Sequence, residues 1–248
     1  MLIIAHRGNH DDMVAPENTL EAFARAWECG ADGVELDVHL TADGRIVVVH
    51  DPHTGRLGDV RRIVRRSTHR DLTGVIIRGP GGHGRRRTGR VPLLDEVLAA
   101  VPPGGRVFVE IKCGAQILKP LAHELRVCGL ARRQVTVIGF TDRPMAAARR
   151  ALPNHELLLL YGKMRLAIPS LQSVIKEARR IGADGVDMRA HRDVDASYIA
   201  RVKEHGLGMH CWLTEKHERD ERTVRRLAGG GVDSITTDRP RWVRGITG

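Results

Sequence analysis

Gly33-Val34-Glu35-Leu36-Asp37-Val38-His39-Leu40-Thr41-Ala42-Asp43-Gly44-Arg45-Ile46-Val47-Val48-Val49-His50-Asp51 is the stretch from which the fold can be read. Val34, Leu36 and Val38 alternate with Glu35, Asp37 and His39, which is the period of a β-strand, so both carboxylates lie on one face. Asp43-Gly44 marks a tight turn, after which Ile46-Val47-Val48-Val49 returns as a second apolar run with His50-Asp51 behind it. One face of a sheet therefore presents neighbouring anions, and a histidine arrives at the end of an adjacent strand.

On the N-terminal side, Leu2-Ile3-Ile4-Ala5 reads as a short buried strand ending at His6-Arg7-Gly8. Pro16-Glu17-Asn18-Thr19 opens a helix, with Asn18 expected as its N-cap and Glu21 in the capping-box position. Leu20, Phe23, Ala24 and Trp27 recur at helical spacing, and Cys29-Gly30 closes the helix. Beyond residue 105 the alternation is regular. Strands are expected at 106–112, 135–140, 155–161, 184–188, 208–212 and 232–236, interleaved with helices at 92–98, 120–128, 143–151, 171–180, 194–204 and 218–228. Counting the Leu2 and Val34 runs with these six, and leaving the Ile46 run as a separate candidate, gives the eight strands of a TIM (β/α)8 barrel; a three-layer open sheet is the alternative. Gly30-Ala31-Asp32-Gly33-Val34-Glu35, Gly182-Ala183-Asp184-Gly185-Val186-Asp187 and Gly230-Gly231-Val232-Asp233 echo one another, as repeated helix-to-strand entries would.

The 248 residues suit a single barrel domain, 1–248, interrupted by an insertion at about 52–91. Within that insertion Arg56, Arg61, Arg62, Arg65, Arg66, Arg70 and Arg78 precede the Gly79-Pro80-Gly81-Gly82-His83-Gly84-Arg85-Arg86-Arg87 run. The composition predicts an apolar-poor, less ordered surface excursion. Forty basic against thirty acidic residues give a net charge of +10, which favours anionic partners. With three Trp, two Tyr and three Phe there is no basic surface interleaved with stacking aromatics, and no nucleic-acid partner is expected. Cys29, Cys113, Cys128 and Cys211 form no Cys-x-x-Cys unit, which argues against a disulfide framework or a zinc knuckle. Met1-Leu2-Ile3-Ile4-Ala5 is too short for a secretory signal, and no apolar run reaches transmembrane length, so a cytoplasmic location is expected.

Barrel strands deliver their C-terminal ends to one mouth, so residues distant in sequence converge there. Glu35, Asp37 and Glu110 would make an all-oxygen site for a hard divalent cation. Ordinary ion pairs with nearby arginines are the alternative, but charge on otherwise buried strands is costly unless paired or metallated. His6 and His50 stand at strand ends beside this trio. One imidazole could take a proton from a nucleophile while the other gives one to a leaving oxygen. Arg7 and Lys112 could hold non-bridging phosphate oxygens.

In their order, several pieces together resemble the glycerophosphodiester phosphodiesterase family. They are His6-Arg7-Gly8, Pro16-Glu17-Asn18-Thr19, Gly30 to Val38, Thr41-Ala42-Asp43-Gly44, Val48-Val49-His50-Asp51, Pro92 to Leu98, Glu110-Ile111-Lys112 and Thr237-Asp238-Arg239-Pro240. The similarity spans essentially the whole chain. It implies a TIM barrel that hydrolyses glycerophosphodiesters to sn-glycerol 3-phosphate and an alcohol with a divalent cation, Mg2+ or Ca2+. By motif it implies His6 and His50 as the acid/base pair and Glu35, Asp37 and Glu110 as metal ligands. It implies Arg7 and Lys112 as phosphate-binding residues, and Trp212, in the late Met209 to Thr214 strand, as part of the pocket wall. The family's route, attack by the glycerol 2-hydroxyl to give a cyclic phosphate that water opens, accounts for two histidines.

The chain departs from the pattern in places. Asn9 to Ala15 is longer and more polar than the turn usual before the proline; Asp11 and Asp12 in it are read as solvent-exposed. The arginine-rich insertion argues against an acyl-chain site. Gln116 and Asp187 stand near or facing the mouth without an assigned role. Two other functions fit the same residues: lysophospholipase D-like hydrolysis of lipid phosphodiesters, and a catalytically silent barrel that binds a phosphate ligand.

Overall fold

The computed structural model describes residues 1–10, 15–78, 88–140, 142–162 and 168–248. The strands are β1 (Leu2–Ala5), β2 (Gly33–Leu40), β3 (Ile46–Val48), β4 (Ile76–Arg78), β5 (Thr88–Arg90), β6 (Arg106–Ile111), β7 (Val135–Gly139), β8 (Glu156–Tyr161), β9 (Gly185–Arg189), β10 (Gly208–Trp212) and β11 (Ser234–Thr237). The helices are α1 (Leu20–Glu28), α2 (His69–Thr73), α3 (Leu94–Ala99), α4 (Leu118–Val127), α5 (Asp142–Ala151), α6 (Leu171–Ile181), α7 (Ala196–Glu204), α8 (Glu221–Gly229) and α9 (Pro240–Thr247).

The main sheet runs β1-β11-β10-β9-β8-β7-β6-β2-β3, and a further pairing of β1 with β2 closes it. Every neighbouring pair in the closed ring is parallel. The architecture is thus an eight-stranded parallel barrel with helices outside, and the open-sheet alternative is excluded. The separate candidate at Ile46, β3, is not one of the eight barrel strands. It folds back antiparallel on the end of β2 through Val38↔Val48, His39↔Val47 and Leu40↔Ile46, because the Asp43-Gly44 turn permits only a hairpin. The C-terminal helix α9, unanticipated from the sequence, starts at Pro240 and packs beside β1.

Alternation along each strand separates two cores. Val34, Leu36, Val107, Val109, Val186 and Ile235 point outward under the helices. Ile4, Phe108, Ile138, Leu158 and Leu160 fill the barrel interior, with Phe140 and Trp212 against them nearer the mouth. Among the inward positions of β2 and β6, Glu35, Asp37 and Glu110 are acidic instead, and all three are buried. The site is carved from what would otherwise be apolar lining.

The segment after β3 departs from the expectation of an apolar-poor excursion. Val64, Leu72, Val75, Ile77 and Val91 are buried together against Val47 of β3. These aliphatic residues are sparse in sequence but come from successive turns that meet on one side, while the arginines take the outer positions. Residues 79–87, including the densest arginine run, lie outside the described residues.

One buried-side carboxyl on the barrel's exterior bears on stability. Glu124 in α4 is pushed up to about 7 by burial, and further by Asp95, with Arg45 opposing. Its folded value lies above its unfolded one, so the fold holds the extra proton and stability falls as pH rises from the ordinary carboxyl range through about 7. Glu124→Gln should therefore unfold at a higher temperature than the parent above pH 7 and at about the same temperature near pH 4. Thermal unfolding across that range checks it, and parallel curves would contradict it.

Candidate active site

The register of β2 and β6 assembles the acidic group: Asp37 lies directly opposite Glu110, with Glu35 one inward position below. One carboxylate oxygen from each of Glu35, Asp37 and Glu110 lies within 4.8 Å of the others. Lys112 follows Glu110 on the same face, and its Nζ is 2.8 Å from Glu110 Oε1 and 3.2 Å from Asp37 Oδ1. Arg7 reaches over from the end of β1, with Nε 3.1 Å from Asp37 Oδ2 and the backbone N donating to Glu35 Oε2 at 3.0 Å. Both cations are therefore tied to carboxylates, and neither stands free to take a phosphate alone.

Burial and the two cations divide the carboxyls sharply. Burial raises Glu35 well above the carboxylate range, and the charges of Asp37 and Glu110 raise it further. Burial would raise Asp37 too, but Arg7 and Lys112 outweigh it and hold this carboxyl well below its ordinary value. Glu110 is pushed up to about 7 by burial and by Asp37, against Lys112. Three carboxyls crowded beside two cations leave an excess of negative potential, and Glu35 Oε1 is buried without a hydrogen bond. An all-oxygen set with an unsatisfied acceptor fits a hard divalent cation. His6, His10 and Asp238 form a second group of potential ligand atoms within 4.8 Å, in which Asp238 already hydrogen-bonds His6 Nδ1 at 2.7 Å and lies 3.2 Å from His10 Nε2.

The two expected histidines come to one cavity of about 200 Å3, lined also by Arg7, Glu35, Glu110, Lys112 and Trp212. Each has its Nδ1 on a carboxylate: His6 on Asp238 at 2.7 Å, His50 on Asp51 at 2.6 Å. A carboxylate accepts, so each Nδ1 donates and Nε2 is the ring atom left to exchange a proton, with a lone pair in the neutral imidazole and a proton in the imidazolium. His6 Nε2 is 4.0 Å from Glu35 Oε2. The His50 imidazole lies below its ordinary value chiefly through burial, with Arg7 and Lys112 adding to the effect and Asp37 opposing. Trp212 donates from Nε1 to the Tyr161 carbonyl at 3.2 Å, and its ring meets Phe140 edge-on at 6.3 Å.

Several participants were not singled out from the sequence. Asp238 and Asp51 were quoted in motifs without a role; each follows a strand or apolar run and is adjacent to the mouth. Asn18 is not the helix cap. Thr19 caps α1, accepting from Ala22 N, whereas Asn18 turns inward, donates from Nδ2 to Asp37 Oδ2 at 2.7 Å and accepts from Asp37 N at 3.2 Å. Asn18 and Arg7 are the non-glycine residues with left-handed backbone among the described residues, at φ 57° and 53°. Such strain of order 1–3 kcal/mol persists where surrounding bonds over-determine it. Gly8, at φ 81°, sits so close to α1 that a Cβ would lie 2.6 Å from the Ala22 carbonyl carbon. The His6-Arg7-Gly8 turn is thereby pinned to the helix.

Arg56, from the segment after β3, pairs with Asp51 Oδ2 through Nε at 2.8 Å and with both oxygens of Glu17 at 2.6 and 3.0 Å. Glu17 Oε1 also accepts from Arg7 at 2.9 Å. A continuous chain thus runs from His50 through Asp51, Arg56, Glu17 and Arg7 to Asp37. Asp187 is buried in the cavity wall and is pushed up to about 8 by burial and by Glu110. Gln116 is exposed on the short 3-10 turn Ala115–Ile117. Asp11 and Asp12 lie outside the described residues.

Glu17 is the single carboxylate between two guanidiniums, and its side chain is 12% exposed. Glu17→Ala should destabilise the protein by about 2 kcal/mol, because it removes the carboxylate that accepts from both Arg7 and Arg56 while Asp37 and Asp51 still hold the two guanidiniums. Denaturant unfolding measures this, and a change below about 1 kcal/mol would assign the network to the solvated surface.

Comparison with known proteins agrees with this geometry. A family model described as the glycerophosphoryl diester phosphodiesterase family matches residues 6–241. A glycerophosphodiester phosphodiesterase of Caldanaerobacter subterraneus is 30% identical over 96% of this chain and 94% of its own. Among solved structures, a glycerophosphodiester phosphodiesterase from Agrobacterium tumefaciens superposes with a TM-score of 0.81 at 24% identity, covering 99% of both chains. An Oleispira antarctica phosphodiesterase in complex with the product sn-glycerol-3-phosphate superposes with a TM-score of 0.82 at 19% identity, covering 99% of this chain and 96% of that one. With a barrel mouth that gathers His6, His50 and three buried carboxyls, and a family match across nearly its full length, this chain belongs to the glycerophosphoryl diester phosphodiesterase family.

Proposed function

We propose that the protein hydrolyses glycerophosphodiesters to sn-glycerol 3-phosphate and an alcohol. The observation that carries the reading is the shared cavity: two imidazoles, each fixed at Nδ1 by a carboxylate, beside three carboxyls that lack enough cations. Glu35, Asp37 and Glu110 would hold Mg2+ or Ca2+, and the ion would polarise the phosphoryl oxygens and neutralise charge there.

His50, kept neutral, takes the proton of the glycerol 2-hydroxyl at Nε2 as that oxygen attacks phosphorus. His6, entering the step protonated at both ring nitrogens with Nδ1 on Asp238, gives its Nε2 proton to the departing alcohol oxygen as the bond to phosphorus breaks. The resulting cyclic phosphate is opened by water with the two roles exchanged, and the 2-oxygen recovers its proton. Lys112 and Arg7 keep the carboxylates in place and add positive potential for the phosphate. Asp51 and Asp238 hold the two rings in the orientation and tautomer the transfers need. No helix among the described residues is long and apolar enough to cross a membrane.

Purified protein with glycerophosphocholine or glycerophosphoethanolamine and Mg2+ or Ca2+ should release glycerol 3-phosphate. Chelation should abolish it, and His6→Ala or His50→Ala should each lower kcat by about 10²–10⁴. Absence of a phosphomonoester from every such diester, with several cations supplied, would refute the assignment. Tight phosphate-ligand binding without turnover would instead support a silent binding barrel.

A further inference from the structure

One imidazole beside the reaction centre has no part in the chemistry above. His10 stands two residues past Gly8, in the stretch where the chain departs from the family pattern. It approaches His6 from the Nδ1 side, through Asp238. His6 Nδ1 donates to Asp238 Oδ1 at 2.7 Å, and His10 Nε2 lies 3.2 Å from that same oxygen. His10 Nε2 is nevertheless buried without a hydrogen bond, so a ring nitrogen aimed at the carboxylate is left unsatisfied.

The other histidine shows how differently an anchoring carboxylate can be closed. Asp51 holds His50 through Oδ1 and is met at Oδ2 by Arg56 Nε at 2.8 Å. A guanidinium only donates and keeps its charge, so it binds no metal. At Asp238 the second group is an imidazole, a common metal ligand. One ligand atom each from His6, His10 and Asp238 lies within 4.8 Å of the others. A tetrahedron built on zinc bonds of about 2.0–2.1 Å has edges of roughly 3.3 Å. The His10–Asp238 separation already has that length, and the His6–Asp238 separation reaches it by opening about 0.6 Å. The side chains of His6, His10 and Asp238 are 32%, 19% and 29% exposed, which lets an ion and a completing water enter from solvent. Two nitrogens and one carboxylate oxygen suit zinc, whereas the all-oxygen group of Glu35, Asp37 and Glu110 suits a harder ion.

We propose that His6 Nδ1, His10 Nε2 and Asp238 form a zinc site, distinct from the all-oxygen group, whose occupation switches the reaction centre off. The ion takes the place of the proton on His6 Nδ1. The ring's remaining proton then sits on Nε2, the atom 4.0 Å from Glu35 Oε2. A ring metallated at Nδ1 and protonated at Nε2 has no lone pair with which to accept, and it releases its proton far less readily than an imidazolium does. Zinc thus withdraws His6 from proton exchange, while His50, whose carboxylate is closed by Arg56, is untouched. The site stands on this geometry alone; its effect on turnover rests on the proposed function.

The test measures zinc binding by equilibrium dialysis of the whole protein in excess Mg2+, which keeps the all-oxygen group filled. The variant is His10→Asn, whose amide still donates to Asp238 but offers no basic nitrogen. The parent should bind zinc at this site at least about tenfold more tightly than His10→Asn. Co2+ in place of zinc should give the parent, and not the variant, the intense visible absorption of a four-coordinate ion. With glycerophosphocholine and Mg2+, saturating zinc should lower the parent's kcat at least about tenfold with KM little changed. His10→Asn should match the zinc-free parent and keep its rate when zinc is added. Equal zinc binding by the two proteins overturns the site. Equal inhibition of the two assigns zinc to the carboxylate group and overturns the switch. The parent's Co2+ spectrum decides without any variant, should thermal unfolding show that His10→Asn has not folded: the weak absorption of a six-coordinate ion overturns the site. The two readings fail separately. Turnover with equal zinc binding sinks the site alone, whereas zinc binding lost in His10→Asn with no diester hydrolysed by the parent sinks the activity alone.

Discussion

Asp37 is the charge on which the barrel mouth depends. It is wholly buried at the top of β2, and the groups that satisfy it come from three different places in the chain. Arg7 descends from the end of β1, Asn18 from the entry to α1, and Lys112 from the end of β6. A buried carboxylate is tolerable only when it is surrounded in this way. Satisfying it therefore fixes the relative positions of the loops that carry His6, Glu17 and Glu110. The left-handed backbone of Arg7 and Asn18 follows from the same requirement, since both residues are bent out of their ordinary conformations to reach one side chain.

Around that anchor the two imidazoles are arranged alike although they arrive from unrelated segments. His6 leans on Asp238 beyond β11, and His50 leans on the residue that follows it, Asp51. In a closed barrel the first and last strands are neighbours, which is why Asp238, 232 positions downstream of His6, meets it. An open sheet of the same elements would have left the first histidine without its partner.

The sequence exposed those features that depend on period. Alternation of Val34, Leu36 and Val38 with Glu35 and Asp37 sufficed to put the carboxylates inside, and repeated helix-to-strand entries sufficed to indicate a barrel. Features that depend on tertiary contact were hidden. Asn18 and Thr19 are both good capping residues, and only the position of Asp37 decides that Thr19 caps while Asn18 turns inward. The hairpin strand Ile46–Val48 has the apolar character of a barrel strand, and only the short connection to β2 betrays it. Arg56 was one arginine among many, and nothing local marks the one that bridges Glu17 and Asp51. The aliphatic residues of the segment after β3 were too far apart in sequence to show a period, yet they converge on Val47.

The bridge made by Arg56 has a mechanical consequence. The segment between β3 and α3 is joined to the loops that carry His50 and Arg7 by a guanidinium that serves two carboxylates at once. It cannot drift as a free ornament on the barrel, because any reshaping that moves position 56 also disturbs the residue next to His50 and the carboxylate shared with Arg7. Substitutions on its outer face leave that bridge untouched, whereas substitutions along its inner edge reach His50 and Arg7 through it.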